Sequence, residues 1–381
     1  MDTTDMHALN HGVARDTVCR LATLRKTPVI SSLYLDVDGA HRPVPATYQQ
    51  AFEQMADELR RRARARDDPR VGRSVEGDVE RMRAWLGKGI DRTVTRGVAL
   101  FSCHEQGYFE SLEVFVPVRD EAGIGPAPRI RQLLEVLDAP GPFLLALVDG
   151  THLRLFVVDS HQINEHPTFV TRPERAVDTS VELGSWERHH AEVRRRHLRH
   201  AATEVDEAVR SLSVHQLVLG GPDEAVTEFT AFLHPTTRQL VIGQVGIRVA
   251  APTEEIAPAA RAVADRAERN HERALVEEVR QRTAGEHGGV IGLEATLAAL
   301  TERRVSTLLI GDGFTAPGAS CPSCGHIGPD LRLCPACHAT NVEIDDVVEV
   351  AIQLAVAQGA DLEFCVGTEL DRSGVAAIAR Y

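Results

Sequence analysis

Short apolar runs alternate with long amphipathic stretches along the whole chain. The run at 29–35 predicts a strand ending in Asp36-Val-Asp38-Gly39. Tyr48, Phe52, Met55 and Leu59 then recur at helical spacing and form one stripe of a long helix. The runs at 98–101 and 112–118 read as strands joined around Gly107. A Pro/Gly cluster at 139–142 breaks the pattern. Beyond it, the runs 143–148 and 153–158 flank Asp149-Gly150, a hairpin signal. A polar stretch without periodicity covers about 160–182. A long helix follows, with Leu198, Ala201, Val205, Ala208 and Leu212 on one face, and then buried strands at 217–219 and 240–245.

From Pro252 a charged helix extends to about 282, and 285–289 reads as a loop. A helix at 293–300, a strand at 305–310, a helix at 347–357, a strand at 361–366 and a last apolar stretch complete the chain. Helix alternating with strand predicts α/β layers in a multidomain, broadly α+β chain. Its 381 residues suit two or three domains. The punctuation sets an N-terminal α/β domain at 1–138, a central domain at 139–251 and a C-terminal domain at 252–381.

Cysteine spacing adds a metal site to this outline. Cys321-Pro-Ser-Cys324 and Cys334-Pro-Ala-Cys337 are two Cys-x-x-Cys knuckles with nine residues between them. That spacing places four thiolates where one tetrahedral zinc takes them all. Pro322 and Pro335 stiffen the knuckles and Gly325 follows the first. Four thiolates suffice, although His326 and His338 stand close by. A closed four-ligand site has no position for a reacting water, so the zinc is structural. The knuckles interrupt an α/β domain as a zinc-ribbon-like module at about 313–345.

Charge narrows the function. A formal net charge of −13 argues against a nonspecific nucleic-acid binder. The basic residues are nonetheless almost all arginine, with only Lys26 and Lys88 as lysine. Arginine forks suit phosphate, and local patches bind RNA under a negative total. One run comprises Arg60, Arg61, Arg62, Arg64 and Arg66; a second comprises Arg194, Arg195 and Arg196. With Arg188, His189, His190 and Arg199, the second makes a candidate RNA-binding tip, and a solvated helix face is its plain alternative. Aromatic residues at 4% argue against base-stacking platforms.

Other constellations are weaker. Asp36 and Asp38 offer a metal pair but more simply end a strand. His197, His200 and Glu204 share a helical face, yet the arginines around them repel a cation. Neither lysine sits in a P-loop frame and no Gly-x-Gly-x-x-Gly occurs, so the chain has no nucleotide site of its own. A polar N-terminus and the lack of any apolar run of about 18 residues point to a cytoplasmic protein without membrane contact.

Several segments resemble the archaeo-eukaryotic peptide release factor and Pelota superfamily. In the last domain they are Ile291-Gly-Leu-Glu-Ala-Thr-Leu-Ala-Ala-Leu300, Val305-Ser-Thr-Leu-Leu-Ile-Gly-Asp312, the knuckles, and Gly374-Val-Ala-Ala-Ile-Ala-Arg-Tyr381. Archaeal release factors carry a four-cysteine zinc module at this same point. The central domain is similar in Leu144-Leu-Ala-Leu-Val-Asp-Gly150 and Leu217-Val-Leu-Gly-Gly-Pro222. Pro28-Val-Ile-Ser-Ser-Leu-Tyr-Leu-Asp36 and Arg96-Gly-Val-Ala-Leu-Phe101 resemble the bacterial branch, which includes the ribosome hibernation factor Balon.

The resemblance implies a factor that binds ribosomal RNA at the A site, with transfer RNA as a further candidate. A translational GTPase of the elongation factor Tu type is the implied partner. Release factors hydrolyse peptidyl-tRNA with a Gly-Gly-Gln loop ahead of the long central helix. Here that region reads Gly184-Ser-Trp-Glu-Arg-His-His190, and Gly-Gly-Gln occurs nowhere. Trp186 and Glu187 would crowd the ester and set negative charge beside a developing oxyanion. The Asn-Ile-Lys-Ser motif that reads stop codons is missing too. The expectation is a non-catalytic A-site factor in hibernation or rescue. The alternative is a peptidyl-tRNA hydrolase or RNase working through a loop at 184–200, which needs an acid, base or nucleophile there.

Overall fold

The structure, a computed structural model, describes residues 12–66, 68–138, 141–159, 162–166, 183–285, 287–329, 332–370 and 374–380, without the side chains of 183–190. The chain divides into two compact units, Met1–Ala139 with Glu272–Tyr381, and Pro140–His271. Both have α/β architecture, so the α/β multidomain expectation holds.

The first unit opens with α1 (Arg15–Thr23), β1 (Ile30–Asp36), α2 (Pro45–Arg64), α3 (Pro69–Leu86), β2 (Gly97–Cys103), β3 (Tyr108–Val114), β4 (Glu121–Gly125) and α4 (Arg131–Asp138). Its strands form an antiparallel sheet in the order β3-β2-β1-β4, with Leu33 between Leu100 and Ala122. Gly107 turns β2 into β3 with φ 66°, a left-handed conformation that suits glycine. β1 and β2 are buried on both faces because each face is covered. Phe52 and Leu59 of α2, with Val75 and Met82 of α3, pack on Leu33, Leu35 and Leu100. Tyr34 and Phe101 point the other way, toward Leu21 of α1 and Leu133 of α4.

The helix α3 was not foreseen in the sequence. Its start is nonetheless conventional: Asp68 accepts a hydrogen bond from the Arg70 N–H and Pro69 occupies the first turn.

The second unit contains β5 (Phe143–Val148), β6 (Leu153–Val158), β7 (Ile163–His166), α5 (Leu183–Leu212), β8 (Leu217–Gly220), α6 (Asp223–Phe232), α7 (Pro235–Gln239) and β9 (Val241–Val245). The sheet order is β7-β6-β5-β8-β9, antiparallel through the hairpins and parallel from β5 to β9. Asp149 closes the expected hairpin by accepting N–H bonds from Thr151 and His152 at 2.7 and 2.8 Å. Leu198, Ala201 and Val205 of α5 bury one face of the sheet with Val226 and Phe229 of α6.

The other face carries Ile256, Ala260 and Ala264 of α8 (Thr253–Ala284). That packing is why this unit runs on to His271, beyond residue 251. β9, expected to be buried, is an edge strand and mostly half-exposed. The polar stretch about 160–182 lies outside the described residues except for 162–166.

The first unit resumes with β10 (Gly289–Ile291), α9 (Leu293–Thr301), β11 (Val305–Gly311), β12 (Gly318–Ser320), β13 (Ile327–Gly328), β14 (Val342–Ile344), α10 (Val347–Ala357), β15 (Asp361–Cys365) and β16 (Val375–Ala379). A mixed sheet runs β10-β16-β11-β15, with β11 and β15 parallel. The small sheet β13-β12-β14 is spliced between β11 and α10. Val347, Val348, Ala351 and Ile352 of α10 share one core with Ile30, Tyr34, Phe101 and Ile130. The first and last thirds of the sequence therefore bury their apolar faces together.

Candidate metal centre and nucleic-acid interface

The two knuckles fold alike. In the first, Cys321 accepts from the Gly325 N–H and donates its own N–H to the His326 carbonyl. In the second, Cys334 accepts from the His338 N–H and donates to the Ala339 carbonyl. These turns aim the four sulfurs of Cys321, Cys324, Cys334 and Cys337 inward, all within 4.8 Å of one another. The pairs Cys321–Cys337 and Cys324–Cys334 are each 3.4 Å apart, and Cys337–Cys324 is 3.5 Å.

A tetrahedron with metal–sulfur bonds near 2.3 Å has edges of about 3.8 Å, close to this spacing. The donor set therefore fits a tetrahedral thiolate-binding ion. It is the only such cluster of metal-binding side chains among the described residues. His326 and His338 are outside it.

Crowding splits the thiols. Burial raises the Cys321 thiol, but N–H bonds from Cys324 and Ser323 win and bring it down to about 6. At Cys324 the His326 N–H pulls down, yet the Cys334 and Cys321 sulfurs push it up to about 12. One thiolate thus forms readily and discourages the next. A divalent cation removes that conflict by taking all the negative charge at once.

The arginines of α5 are treated unequally by the fold. Arg194 is committed: its guanidinium meets Glu224 at 3.1 Å and Glu228 at 3.0 Å, both on α6. Arg195 and Arg199 lie over the Phe232 ring, at 5.9 and 5.3 Å from its centroid, with their side chains exposed. Arg196 is exposed and has no ion pair among the described residues. The side chains of Arg188, His189 and His190 lie outside the described residues.

One expectation is corrected. The segment 184–200, read as a loop, is helical from Leu183 onward. His197 is also turned away from any surface site. It is 3% exposed, and desolvation pulls its imidazole down toward the neutral form. His200 lies 3.8 Å from Glu204 on the exposed side. The His197–His200–Glu204 metal site is therefore not assembled.

The first arginine run is largely neutralised. Arg60 pairs with Glu76 and Asp57, Arg61 and Arg62 with Glu58, and Arg62 also with Asp345. Asp36 accepts the Asp38 N–H and pairs with His41, while Asp38 pairs with Arg96 at 3.0 Å. Those carboxylates end a strand. What the sequence reading missed was the Glu224/Glu228 receiver for Arg194, although their spacing of four already placed them on one face of a helix.

Residues 128–272 match the model of bacterial archaeo-eukaryotic release factor family 10. This segment of the chain is therefore similar to a bacterial release-factor family. The matched segment encloses the whole Pro140–His271 unit, including α5. Among solved structures, an archaeal translation termination factor is similar at 15% identity, over 97% of this chain and 99% of that one, with a TM-score of 0.28. Archaeoglobus fulgidus Pelota matches at 15% identity over 72% of this chain and 76% of its own, with a TM-score of 0.34. A Saccharomyces cerevisiae termination-like factor of RNA quality control matches at 10% identity over 75% and 79%, with a TM-score of 0.41. No curated protein matches. No described helix is long and apolar enough to cross a membrane.

Proposed function

We propose that this protein is a translation factor that occupies the ribosomal A site without peptide-release chemistry, in hibernation or rescue. The observation that carries the reading is the match of residues 128–272 to a bacterial release-factor family, in a segment that lacks Gly-Gly-Gln. In this reading Arg195, Arg196 and Arg199, exposed along α5, meet RNA phosphate, with Arg188, His189 and His190 extending the same helix toward its start. Arg194 helps them indirectly by fixing α5 to α6.

The four cysteines hold zinc as a structural ion and keep the inserted module folded. The ion takes no part in a reaction, because the four thiolates fill its coordination. A translational GTPase of the elongation factor Tu type is the proposed partner, since the chain has no phosphate-binding loop of its own. The setting is the cytoplasm. The alternative, a peptidyl-tRNA hydrolase or RNase acting through residues 184–200, would have to work from a helix.

Co-sedimentation with 70S ribosomes from growing and starved cells, at stepped salt, tests the proposal. Binding that weakens with salt and is blocked by A-site tRNA is expected. Failure to sediment with either ribosome population would overturn it.

A further inference from the structure

We propose that Glu349 is a proton-linked latch. As a neutral acid it holds α10 against the 126–131 segment, and on ionising it loosens that contact. The latch joins parts of one unit that lie far apart in sequence.

The geometry is that of a carboxyl group without a counter-ion. Glu349 is 6% exposed, and Oε1 accepts the backbone N–H of Ile130. One turn on, Gln353 is 2% exposed and donates to the Pro128 carbonyl at 2.7 Å. The nearby cation, Arg129, is already taken by Glu121 at 2.7 Å. The Arg129 backbone is also fixed, its N–H on Ser32 Oγ at 3.0 Å and its carbonyl on Tyr34 Oη at 2.6 Å. Asp346, the other buried acid of this helix start, accepts the N–H groups of Val348 and Ala316.

An ionised Glu349 would thus face the carboxylates of Glu121 and Asp346 with one shared guanidinium between them. On the 131–138 helix, Arg131 is engaged by Glu135 and by the carbonyls of Phe314 and Gly311. Arg15, Asp16 and Arg20 on α1, and Glu294 on α9, are exposed and face solvent instead. Burial, the largest influence, pushes the Glu349 carboxyl up to about 7 from an ordinary 4.5, against the pull of the Ile130 N–H and Arg129.

The sign follows from linkage. A raised native value means that the contact is fully supported below the ordinary value and loses support as pH climbs through about 7. Between pH 6 and pH 8 an opened state with an ordinary carboxyl gains about tenfold in population over the closed one.

Amide hydrogen exchange of the full chain reads this directly. After correction for intrinsic rates, protection of the Ile130 N–H and of the 347–357 amides should fall about tenfold from pH 6 to pH 8. In Glu349→Gln, a lasting mimic of the neutral acid, that fall should vanish. Wild-type protection that does not change with pH would overturn the latch, as would a Glu349→Gln variant with the same fall or one that no longer folds. The carboxyl carbon resonance of Glu349 supplies a second check in the wild-type protein. A midpoint near 7 supports the latch, and one below 5 refutes it.

Discussion

Gly325 and His338 occupy the same place in the two cysteine knuckles, each four residues after the first thiol and each left-handed, at φ 76° and 61°. Only one of the two positions carries the residue that this backbone prefers. Nothing lies within 4 Å of a Cβ built on Gly325, so a side chain there meets only its own backbone strain. Gly325→Ala should destabilise the module by about 1–2 kcal/mol, and His338→Gly should leave it unchanged or tighter. Metal analysis in the presence of a competing chelator measures both. Equal retention of zinc by the two variants would contradict the knuckle argument.

Stability and RNA contact should separate along α5. Arg194→Ala removes the bridges to Glu224 and Glu228, which are partly exposed, and should cost about 1 kcal/mol of unit stability. Arg196→Ala touches no described partner and should leave the melting curve in place. Ribosome association should respond the opposite way. Loss of Arg195, Arg196 and Arg199 together should weaken it and flatten its salt dependence by about one unit of slope per phosphate contact. If the triple variant binds as wild type does, these residues are solvated surface.

Asp78 makes a third case, inside the first unit. It is fully buried, accepts from Ser31 Oγ at 2.7 Å and from the His104 N–H at 2.6 Å, and its pKa is raised chiefly by desolvation. Asp78→Ala strands both donors and should cost about 1–3 kcal/mol. Because the folded pKa is raised, wild-type stability relative to the variant is greatest below the ordinary aspartate value and declines as pH rises through the shifted one. Urea melts from pH 3 upward should show the gap narrowing. A gap that widens would mean that the carboxylate is held ionised.

The same residues show what the sequence made legible. Elements whose faces are read by local spacing were plain: the stripe Tyr48, Phe52, Met55 and Leu59 is buried, and the Asp149 turn forms as expected. The strand β4 was hidden, because Glu-Ala-Gly-Ile-Gly has little strand character of its own. Its place comes from pairing with β1 across a long sequence gap. The clustering of the four cysteine sulfurs was legible because thiol spacing is itself geometry. The fates of Arg194 and Glu349 were not, since each depends on partners that only the tertiary fold brings near.

Peptide release is the sharpest functional test. Hydrolysis of peptidyl-tRNA requires flexible backbone N–H groups against an ester oxygen and a placed water. This chain has a helix from Leu183 to Leu212, and no Gly-Gly-Gln anywhere. Gln244 lies within β9, and Gln162 only precedes β7, so neither glutamine sits at the start of the long helix. Purified protein added to programmed ribosomes should release no nascent peptide above the spontaneous rate, while still competing with A-site ligands. Glu187, His189 and His190 are the residues through which the prediction would fail, since together they offer a general base and an acid. Rapid release abolished by His189→Ala or Glu187→Ala would replace the binding factor with a hydrolase. Slow release insensitive to both would instead trace to a contaminating release factor.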